Sequence, residues 1–290
     1  MSAAEALLRR IVDYAGLFPP AALDMETAVR NYQEYLLGDY GWMLGSFIVS
    51  AHRLDEFAAV FERVCCGEKE NPWTQSIVCA GEAAGDARRI AEFREGAVFI
   101  GSLETRAADP NAAKAALDLL PPARARYVEF GPERAAEILP VLAGRGARAK
   151  IRMGGVTPET IPVAESVAHF LAACVRERVA FKATAGLHHA IRGTRALTGN
   201  PDSPRATMHG FLNLFLAASL AYFGADPQAI VRTLAEEDAT AFHQDDELIR
   251  WHDHTLITDQ IERVRSEFAM SFGSCSFTEP VDDMKEMGWI

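Results

Sequence analysis

Residues 126–184 read, in order, RYVEF, GPERAAEILPVLAGRGA, RAKIRM, GGVTPETIPVAESVAHFLAACVRER and VAFKAT. The first, third and last segments are short runs containing apolar residues, and the two between them repeat apolar residues at helical spacing. Short strand-like runs separated by helices are typical of βαβ units, in which consecutive strands lie parallel. This stretch therefore predicts a parallel sheet covered by helices.

The same alternation continues on both sides of the stretch. In chain order the predicted strands are Met43–Ser50, Ser76–Ala80, Ala97–Gly101, Arg126–Phe130, Arg148–Met153, Val179–Thr184, a strand within Ala239–Trp251, and Phe268–Phe272. The seventh of these segments is polar for a buried strand and follows an extra helix at Asp226–Glu236. Eight strands separated by helices predict an α/β fold of the (βα)₈ TIM-barrel type. A doubly wound open sheet is the alternative fold.

The length of the chain fits one barrel. A (βα)₈ barrel takes about 250 residues, and the 290 residues show no linker or change of composition that would divide them. We therefore expect a single domain over residues 1–290. Helical patterns at Ala3–Val12 and Met25–Leu37 suggest that residues 1–40 form an N-terminal helical extension.

Charge and apolar patterning restrict the partners. The net charge of -11 disfavours binding to nucleic acid and to anionic membranes. The longest apolar stretch, Phe211–Phe223, is shorter than the roughly 20 residues of a membrane span. No secretory signal precedes the first helix, and the five cysteines are scattered. We expect a cytoplasmic protein whose partner is a small anionic metabolite. Barrels of this size often form homo-oligomers.

Alternate residues of a barrel strand face either the helices or the interior. Ala149, Ile151 and Met153 suit the helix side, so Arg148, Lys150 and Arg152 are expected to point inward. By the same parity Glu129 on the preceding strand and Lys182 with Thr184 on the next strand also point inward. Three neighbouring strands would then bring one carboxylate and several cations into one space.

Two explanations fit this predicted cluster. In the structural one, Glu129 pairs with Lys150 or Arg152 in a salt-bridge network. In the functional one, the cations left over bind an anionic substrate, since active sites of barrels lie at the carboxyl ends of the strands. Buried charges are unfavourable unless they are paired or used, so the cluster requires an explanation. Its location at the strand ends of a barrel favours the functional one.

Lys182 lies in Phe181-Lys182-Ala183-Thr184-Ala185-Gly186, at the end of the predicted sixth strand. This segment resembles the Schiff-base strand of class I aldolases of the deoxyribose-phosphate aldolase type. The resemblance implies that Lys182 forms an imine with a carbonyl substrate. The family's second lysine, in a glycine-rich turn at the seventh strand, has no match here. The family's strand-four aspartate would be replaced by Glu129, and Lys150 is the only candidate for a second cation.

The residues themselves suggest roles within this chemistry. An amine near two other cations is expected to lose its proton more easily, which would make Lys182 a neutral nucleophile. Glu129 could then move protons, with Lys150 as a further catalytic group, while Arg152 binds a phosphate or carboxylate through a two-pronged contact. Thr184 is expected to contact the substrate beside Lys182.

Loops at the predicted mouth add further candidates. His188 and His189 follow the Lys182 strand, and four roles are open for them: substrate contact, acid/base catalysis, metal binding or a solvated loop. His209 and Asn213, one helical turn apart, either face the site or stabilise the helix start. Backbone amides of two turns are predicted to bind phosphate. They are Gly154–Gly155 and Gly273–Ser274, although Glu279, Asp282 and Asp283 could serve the helix after the second turn instead.

Two rival functions stay open. His243, His252 and His254 could form a metal site for a metal-dependent hydrolase or lyase, with His252 and His254 on one face of an extended segment. Alternatively the barrel binds an anionic metabolite without catalysis. The preferred interpretation is a Schiff-base lyase acting on a small phosphorylated or carboxylated carbonyl compound, without metal or other cofactor. The stiff Phe18-Pro19-Pro20 turn is either a plug or a lid.

Overall fold

The structure is a computed structural model that describes residues 1–65, 72–80, 83–93, 98–200 and 202–290. Its helices are α1 (Ala3–Leu8), α2 (Met25–Leu37), α3 (Leu54–Val64), α4 (Ala83–Glu92), α5 (Pro110–Leu119), α6 (Ala135–Ala143), α7 (Ala164–Glu177), α8 (Phe211–Tyr222), α9 (Pro227–Ala235), α10 (Thr258–Glu267) and α11 (Thr278–Glu286). Five single 3₁₀ turns lie at Gly41–Met43, Ala51–Arg53, Pro132–Arg134, Pro158–Thr160 and Ala239–Ala241. No helix among the described residues has the length and apolar character needed to cross a membrane.

Thirteen strands occur in the described part of the chain. They are β1 (Val12–Tyr14), β2 (Leu44–Ser50), β3 (Trp73–Val78), β4 (Val98–Arg106), β5 (Ala125–Glu129), β6 (Arg148–Arg152), β7 (Phe181–Thr184), β8 (Gly193–Ala196), β9 (Arg205–Met208), β10 (Phe242–Gln244), β11 (Leu248–Trp251), β12 (His254–Ile257) and β13 (Ala269–Ser274). Ala97, the first residue of the predicted third strand, lies outside the described residues.

Strands β1 to β7 and β13 form a closed barrel in which all neighbouring strands are parallel. Strand β1 closes the barrel, because it pairs with β2 on one side and with β13 on the other. The predicted (βα)₈ barrel is therefore confirmed, and the open-sheet alternative is excluded.

The N-terminal prediction is wrong in one respect. Helix α1 ends at Leu8, Arg10 has a left-handed φ of 51°, and β1 follows at Val12–Tyr14. Residues 1–40 thus include the first barrel strand and are not wholly an extension. A three-residue strand with Asp13 at its centre has no apolar alternation long enough to be recognised, and it is stabilised by its pairing on both sides.

The predicted seventh strand is also wrong. Residues in Ala239–Trp251 contribute β10 and β11, which join β12 in a separate antiparallel sheet outside the barrel. Their polarity reflects this position. Because the true first strand was missed, Lys182 lies on the seventh barrel strand and not on the sixth.

Alternation along the strands separates the core from the barrel interior. Val128, Ile151 and Ala183 are fully buried and belong to the apolar layer under the helices. The interior instead holds hydrogen-bonded polar groups. At the end where the strands begin, the Arg265 guanidinium from α10 donates to the carbonyls of Ala269 and Met270, and burial lowers its pKa to about 10. The opposite end, where the strands finish, is the mouth.

Candidate active site

Lys182 lies at the centre of the barrel between two carboxylates. Its Nζ donates to Asp13 Oδ2 at 2.5 Å and to Glu104 Oε1 at 2.7 Å, and the residue is 1% exposed. Asp13 also accepts hydrogen bonds from Ser271 Oγ and the Ser46 amide, both at 2.7 Å. Strands β1 and β4 therefore supply partners for Lys182 that its own strand lacks.

The contacts continue from Glu104 towards the mouth. Glu104 Oε2 is 2.6 Å from Lys150 Nζ, which is 3.1 Å from Glu129 Oε2. Glu129 Oε1 in turn accepts from Arg106 Nη2 at 2.6 Å and from Arg152 Nε at 3.1 Å. We call this series the charge chain. Its members are Asp13, Lys182, Glu104, Lys150, Glu129, Arg106 and Arg152.

Exposure increases along the charge chain. The side chains of Lys182 and Lys150 are 1% and 8% exposed, whereas those of Arg152 and Arg106 are 43% and 68% exposed. Four cations and three carboxylates leave one formal positive charge in excess. Because both arginines lie at the exposed end, this excess faces anything that enters the mouth.

Parity reasoning placed Glu129, Lys150, Arg152 and Lys182 correctly in one network. The expected neutral state of Lys182 is wrong. Burial acts to lower the pKa of its ammonium group, but the adjacent carboxylates outweigh burial and raise that pKa above its usual value. The nearest charges are anions supplied by strands β1 and β4, not the cations that the sequence suggested.

The pKa values of Glu104 and Glu129 are shifted in the opposite direction to that of Lys182. Burial acts to raise the pKa of Glu104, but the ammonium groups of Lys150 and Lys182 hold it well below its usual range. The pKa of Glu129 is also lowered, because Lys150, Arg152 and Arg106 outweigh its burial. Both groups are therefore ionised at neutral pH, and the resting charge chain alternates in sign.

Neutral polar groups position the central ions. Ser76 Oγ contacts Glu104 Oε1 and lies 2.6 Å from Ser102 Oγ. The Tyr127 ring centroid is 5.3 Å from Lys182 Nζ, within the range of a cation–π contact, and the Tyr127 hydroxyl accepts from Arg148 Nη1 at 3.1 Å. Arg148 thus points inward as expected. It is the first residue of β6 and lies nearer than Lys182 to the end where the strands begin.

The glycine turns have packing roles at the mouth. A Cβ on Gly154 would lie 2.9 Å from the Cα of Gly186, and Gly186 has a φ of +70°. The backbones after β6 and β7 touch there, so glycine is required whether or not an anion binds at Gly154–Gly155. A Cβ on Gly273 would lie 3.1 Å from Thr184 Oγ1, which places the Thr184 hydroxyl against the end of β13.

The amides after Gly273–Ser274 already have acceptors within the protein. Ser276 N donates to Ser274 Oγ, and Glu279 N donates to Ser276 Oγ, both at 3.2 Å. These contacts and the acidic start of α11 leave little reason for a phosphate at this turn. Phosphate binding at Gly273–Ser274 stays a prediction.

His188 and His189 connect the loop after β7 to α11. His188 Nδ1 is 3.2 Å from Glu279 Oε2 and 3.4 Å from Ser274 Oγ, whereas His189 Nδ1 is 3.2 Å from Asp283 Oδ2. His188 is thus the one of the pair that adjoins the predicted Gly273–Ser274 turn. The loop after β1, which contains Phe18-Pro19-Pro20, is also at this end, with Ala15 N donating to Ser274 O at 2.7 Å.

The late histidines lie outside the barrel. His252 occupies the turn between β11 and β12 with a φ of 47°, so it is not on an extended segment with His254. Its Nε2 is 2.9 Å from Glu236 Oε2, and the His254 ring stacks on Trp251. Among residues that the structure describes, no three His, Cys, Asp or Glu side chains form a group able to hold a metal ion, and His243 is therefore in no such group either.

Sequence reasoning missed Asp13, Glu104 and Arg106. Asp13 was assigned to the region after a helix, and the predicted third strand stopped at Gly101, whereas β4 continues to Arg106. Alternation of Ser102, Glu104 and Arg106 across Leu103 and Thr105 was the available signal for an inward polar face.

Comparisons with known proteins add no relative. No family model matches the chain, and no curated protein matches it. The fold is that of a (βα)₈ barrel. The positional part of the aldolase resemblance does not hold, because Lys182 is on the seventh barrel strand.

Proposed function

We propose that the chain is a Schiff-base lyase of the class I aldolase kind, acting on a small anionic carbonyl compound with Lys182 as the amine. The observation that carries the proposal is the position of Lys182 Nζ, 2.5 Å and 2.7 Å from two carboxylates inside a (βα)₈ barrel. A cytoplasmic location and a homo-oligomeric state belong to the same proposal.

The carboxylates offer a route to the nucleophile. Glu104 Oε1 accepts one proton from the Lys182 ammonium, and the freed electron pair forms the C–N bond to the carbonyl carbon. The carbonyl oxygen takes up one proton from the attacking nitrogen and one from Glu104 and leaves as water, which gives a cationic imine and returns Glu104 to its carboxylate. The amine is thus generated by local transfer and need not be neutral at rest.

The same carboxylates favour the intermediate. An iminium ion carries the positive charge that the ammonium carried, at the same nitrogen between Asp13 and Glu104. Electrostatic groups aligned with a charge that is present in the intermediate stabilise it without rearrangement. A raised pKa of Lys182 therefore opposes loss of the proton but does not oppose the iminium state.

The substrate anion is assigned to the exposed end of the charge chain. Arg152 and Arg106 share Glu129 Oε1, and both side chains are exposed at the mouth. Within the described residues Arg152 makes its hydrogen bond to Glu129 through Nε, so its other N–H groups suit a phosphate or carboxylate. Thr184 and His188 are the further contacts proposed there, and Lys150 with Glu129 links this anion site to Glu104.

The test is covalent trapping. The protein is incubated with small phosphorylated or carboxylated aldehydes and ketones and reduced with borohydride, and adducts are located by intact mass and peptide mapping. We expect one adduct at Lys182 that is absent from Lys182→Met. Lys114→Met, at an exposed position of α5, is the matched control and should label like wild type. If native protein is not labelled, or if Lys182→Met labels equally, the proposal is wrong.

A noncatalytic barrel that binds an anionic metabolite is the second candidate. It is favoured by the 1% exposure of Lys182 and by the two ion pairs that hold it charged. In that case saturable binding of a phosphorylated or carboxylated probe would depend on Arg152, while no carbonyl compound would be trapped at Lys182.

A further inference from the structure

A cavity of about 590 Å³ lies away from the charge chain. It is bordered by Arg195 of the β8–β9 hairpin, by Thr240 and Phe242 ahead of and in β10, and by the end of α11 with Trp289. No member of the charge chain lines it. Its size is typical of small-molecule sites, which take roughly 300–1,000 Å³.

Arg195 gives this cavity one cation with unused hydrogen-bonding capacity. Its Nε is shielded from solvent and has no hydrogen-bond partner among the described residues. A buried N–H without an acceptor is unfavourable, and more so when the group is charged. The terminal N–H groups of Arg195 likewise make no hydrogen bond among the described residues, and they are the groups that a ligand carboxylate in the cavity would reach.

Two acidic residues line the same cavity. Asp283 already accepts from the Ala190 amide at 2.7 Å and contacts His189, whereas Glu286 is exposed at the end of α11. A simple anion would meet one guanidinium, the exposed imidazole of His243 and two carboxylates, and would be disfavoured. A ligand that carries both a carboxylate and an ammonium group matches this set of charges.

The remaining wall is partly apolar, and it also contains Thr240 and His243. Phe242 and Trp289 are 3% and 7% exposed, and Met287 lies between Glu286 and Trp289 in sequence. An aromatic or long aliphatic side chain would bury its surface there. The lining therefore suits a ligand that has charged groups at one end and an apolar side chain at the other.

We propose that this cavity binds a free α-amino acid with a large apolar side chain. Its carboxylate pairs with Arg195, its ammonium group pairs with Glu286, and its side chain packs on Trp289 and Phe242. The site is separate from the proposed Schiff-base chemistry, because such a ligand has no aldehyde or ketone group.

Calorimetric titration of the full chain tests this site with three probes. They are L-phenylalanine, L-phenylalaninamide, which lacks the carboxylate, and N-acetyl-L-phenylalanine, which lacks the ammonium group. We expect saturable binding of the free amino acid, and affinity reduced about tenfold or more for each analogue, as expected for loss of a charged hydrogen bond. L-Serine, which lacks the apolar part, should bind more weakly than L-phenylalanine.

Two variants test the proposed carboxylate and ammonium contacts separately. Arg195→Met should remove the preference for the free acid over the amide, and Glu286→Gln should remove the preference for the free ammonium over the acetylated form. Arg205→Met is the matched control, since Arg205 lies exposed on the neighbouring strand and outside the cavity lining. If a variant fails to fold, the comparison of the three phenylalanine probes on wild-type protein still tests the proposal. Absence of saturable binding, or equal affinity for all three probes, would overturn the proposal.

Discussion

Among single residues, Arg152 is the side chain proposed to bind the substrate anion at the mouth. Its guanidinium contacts Glu129 through Nε only, within the described residues, and is 43% exposed. A planar guanidinium binds phosphate or carboxylate through two parallel hydrogen bonds, whereas an ammonium group acts as a point charge. The expected role of Arg152 is therefore geometric as well as electrostatic.

Arg152→Lys tests that role. We expect the affinity for a phosphorylated or carboxylated probe to fall about tenfold, which corresponds to roughly 1.4 kcal/mol. Stability should change by less than about 1 kcal/mol, because lysine keeps a positive charge beside Glu129 and the Arg152 side chain is 43% exposed. Titration calorimetry and thermal unfolding measure the two effects, and Arg63→Lys on α3 serves as the surface control. Unchanged affinity with a large loss of stability would assign Arg152 to structure alone.

At the scale of elements, helix α8 is buried along almost its whole length, and Asn213 is its one side-chain amide. Asn213 Oδ1 accepts from Arg192 N at 2.8 Å, and its Nδ2 donates to the carbonyls of Thr233 and Glu236. The residue therefore connects the loop after β7 to the end of α9. Of the two roles open from the sequence, capping of the helix start is not observed, because the contacts instead hold two other segments against α8.

Asn213→Leu should lower the free energy of unfolding by about 2–4 kcal/mol, because one amide and two carbonyls lose their partner. Ser219→Ala in the same helix is the matched control. Ser219 Oγ donates only to the Phe215 carbonyl within the helix, and its loss should cost under about 1 kcal/mol. Denaturant unfolding gives both values. Equal effects in the two variants would show that the Asn213 contacts add nothing to stability.

The lengths of the strands explain which inward-facing residues the sequence predicts and which it does not. Strands β5, β6 and β7 have clear alternation, and their inward residues were found by parity. Strand β1 has three residues and becomes recognisable only through pairing with β2 and β13. Strand β4 continues beyond Gly101 and Ser102 to Arg106, whereas the predicted strand ends at Gly101 and so does not include Glu104. The carboxylates beside Lys182 come from these two strands, which is why its protonation state was predicted wrongly.

At the scale of the whole molecule, the charge chain makes stability depend on pH. Glu104 and Glu129 have pKa values lowered by folding, so their contribution is present above the unfolded pKa of about 4.3 and is lost as the pH falls towards the folded values. Lys182 has a raised pKa, so its contribution is full below about pH 10 and is lost as the pH rises through its folded value.

We therefore expect the free energy of unfolding to be nearly constant between about pH 6 and pH 9 with respect to these groups, and to fall on both sides. Urea unfolding across a pH series measures it. Glu129→Gln should show a shallower acid decline than wild type, because one proton fewer is taken up on unfolding. An identical acid slope in Glu129→Gln would mean that folding does not change the pKa of Glu129.

The most direct measurement of the central claim, that Glu104 takes the proton from Lys182 as the imine forms, is the pH dependence of trapping. Pyruvate, whose carboxylate stays ionised, is incubated with the protein at each pH, and aliquots are reduced in one borohydride solution of fixed pH, with Lys182→Met as background. Local transfer from Lys182 to Glu104 leaves the number of bound protons unchanged. The rate of adduct formation at Lys182 should therefore be flat between about pH 6 and pH 9. A rate that rises about tenfold per pH unit, or one with an inflection near neutrality, would contradict the account.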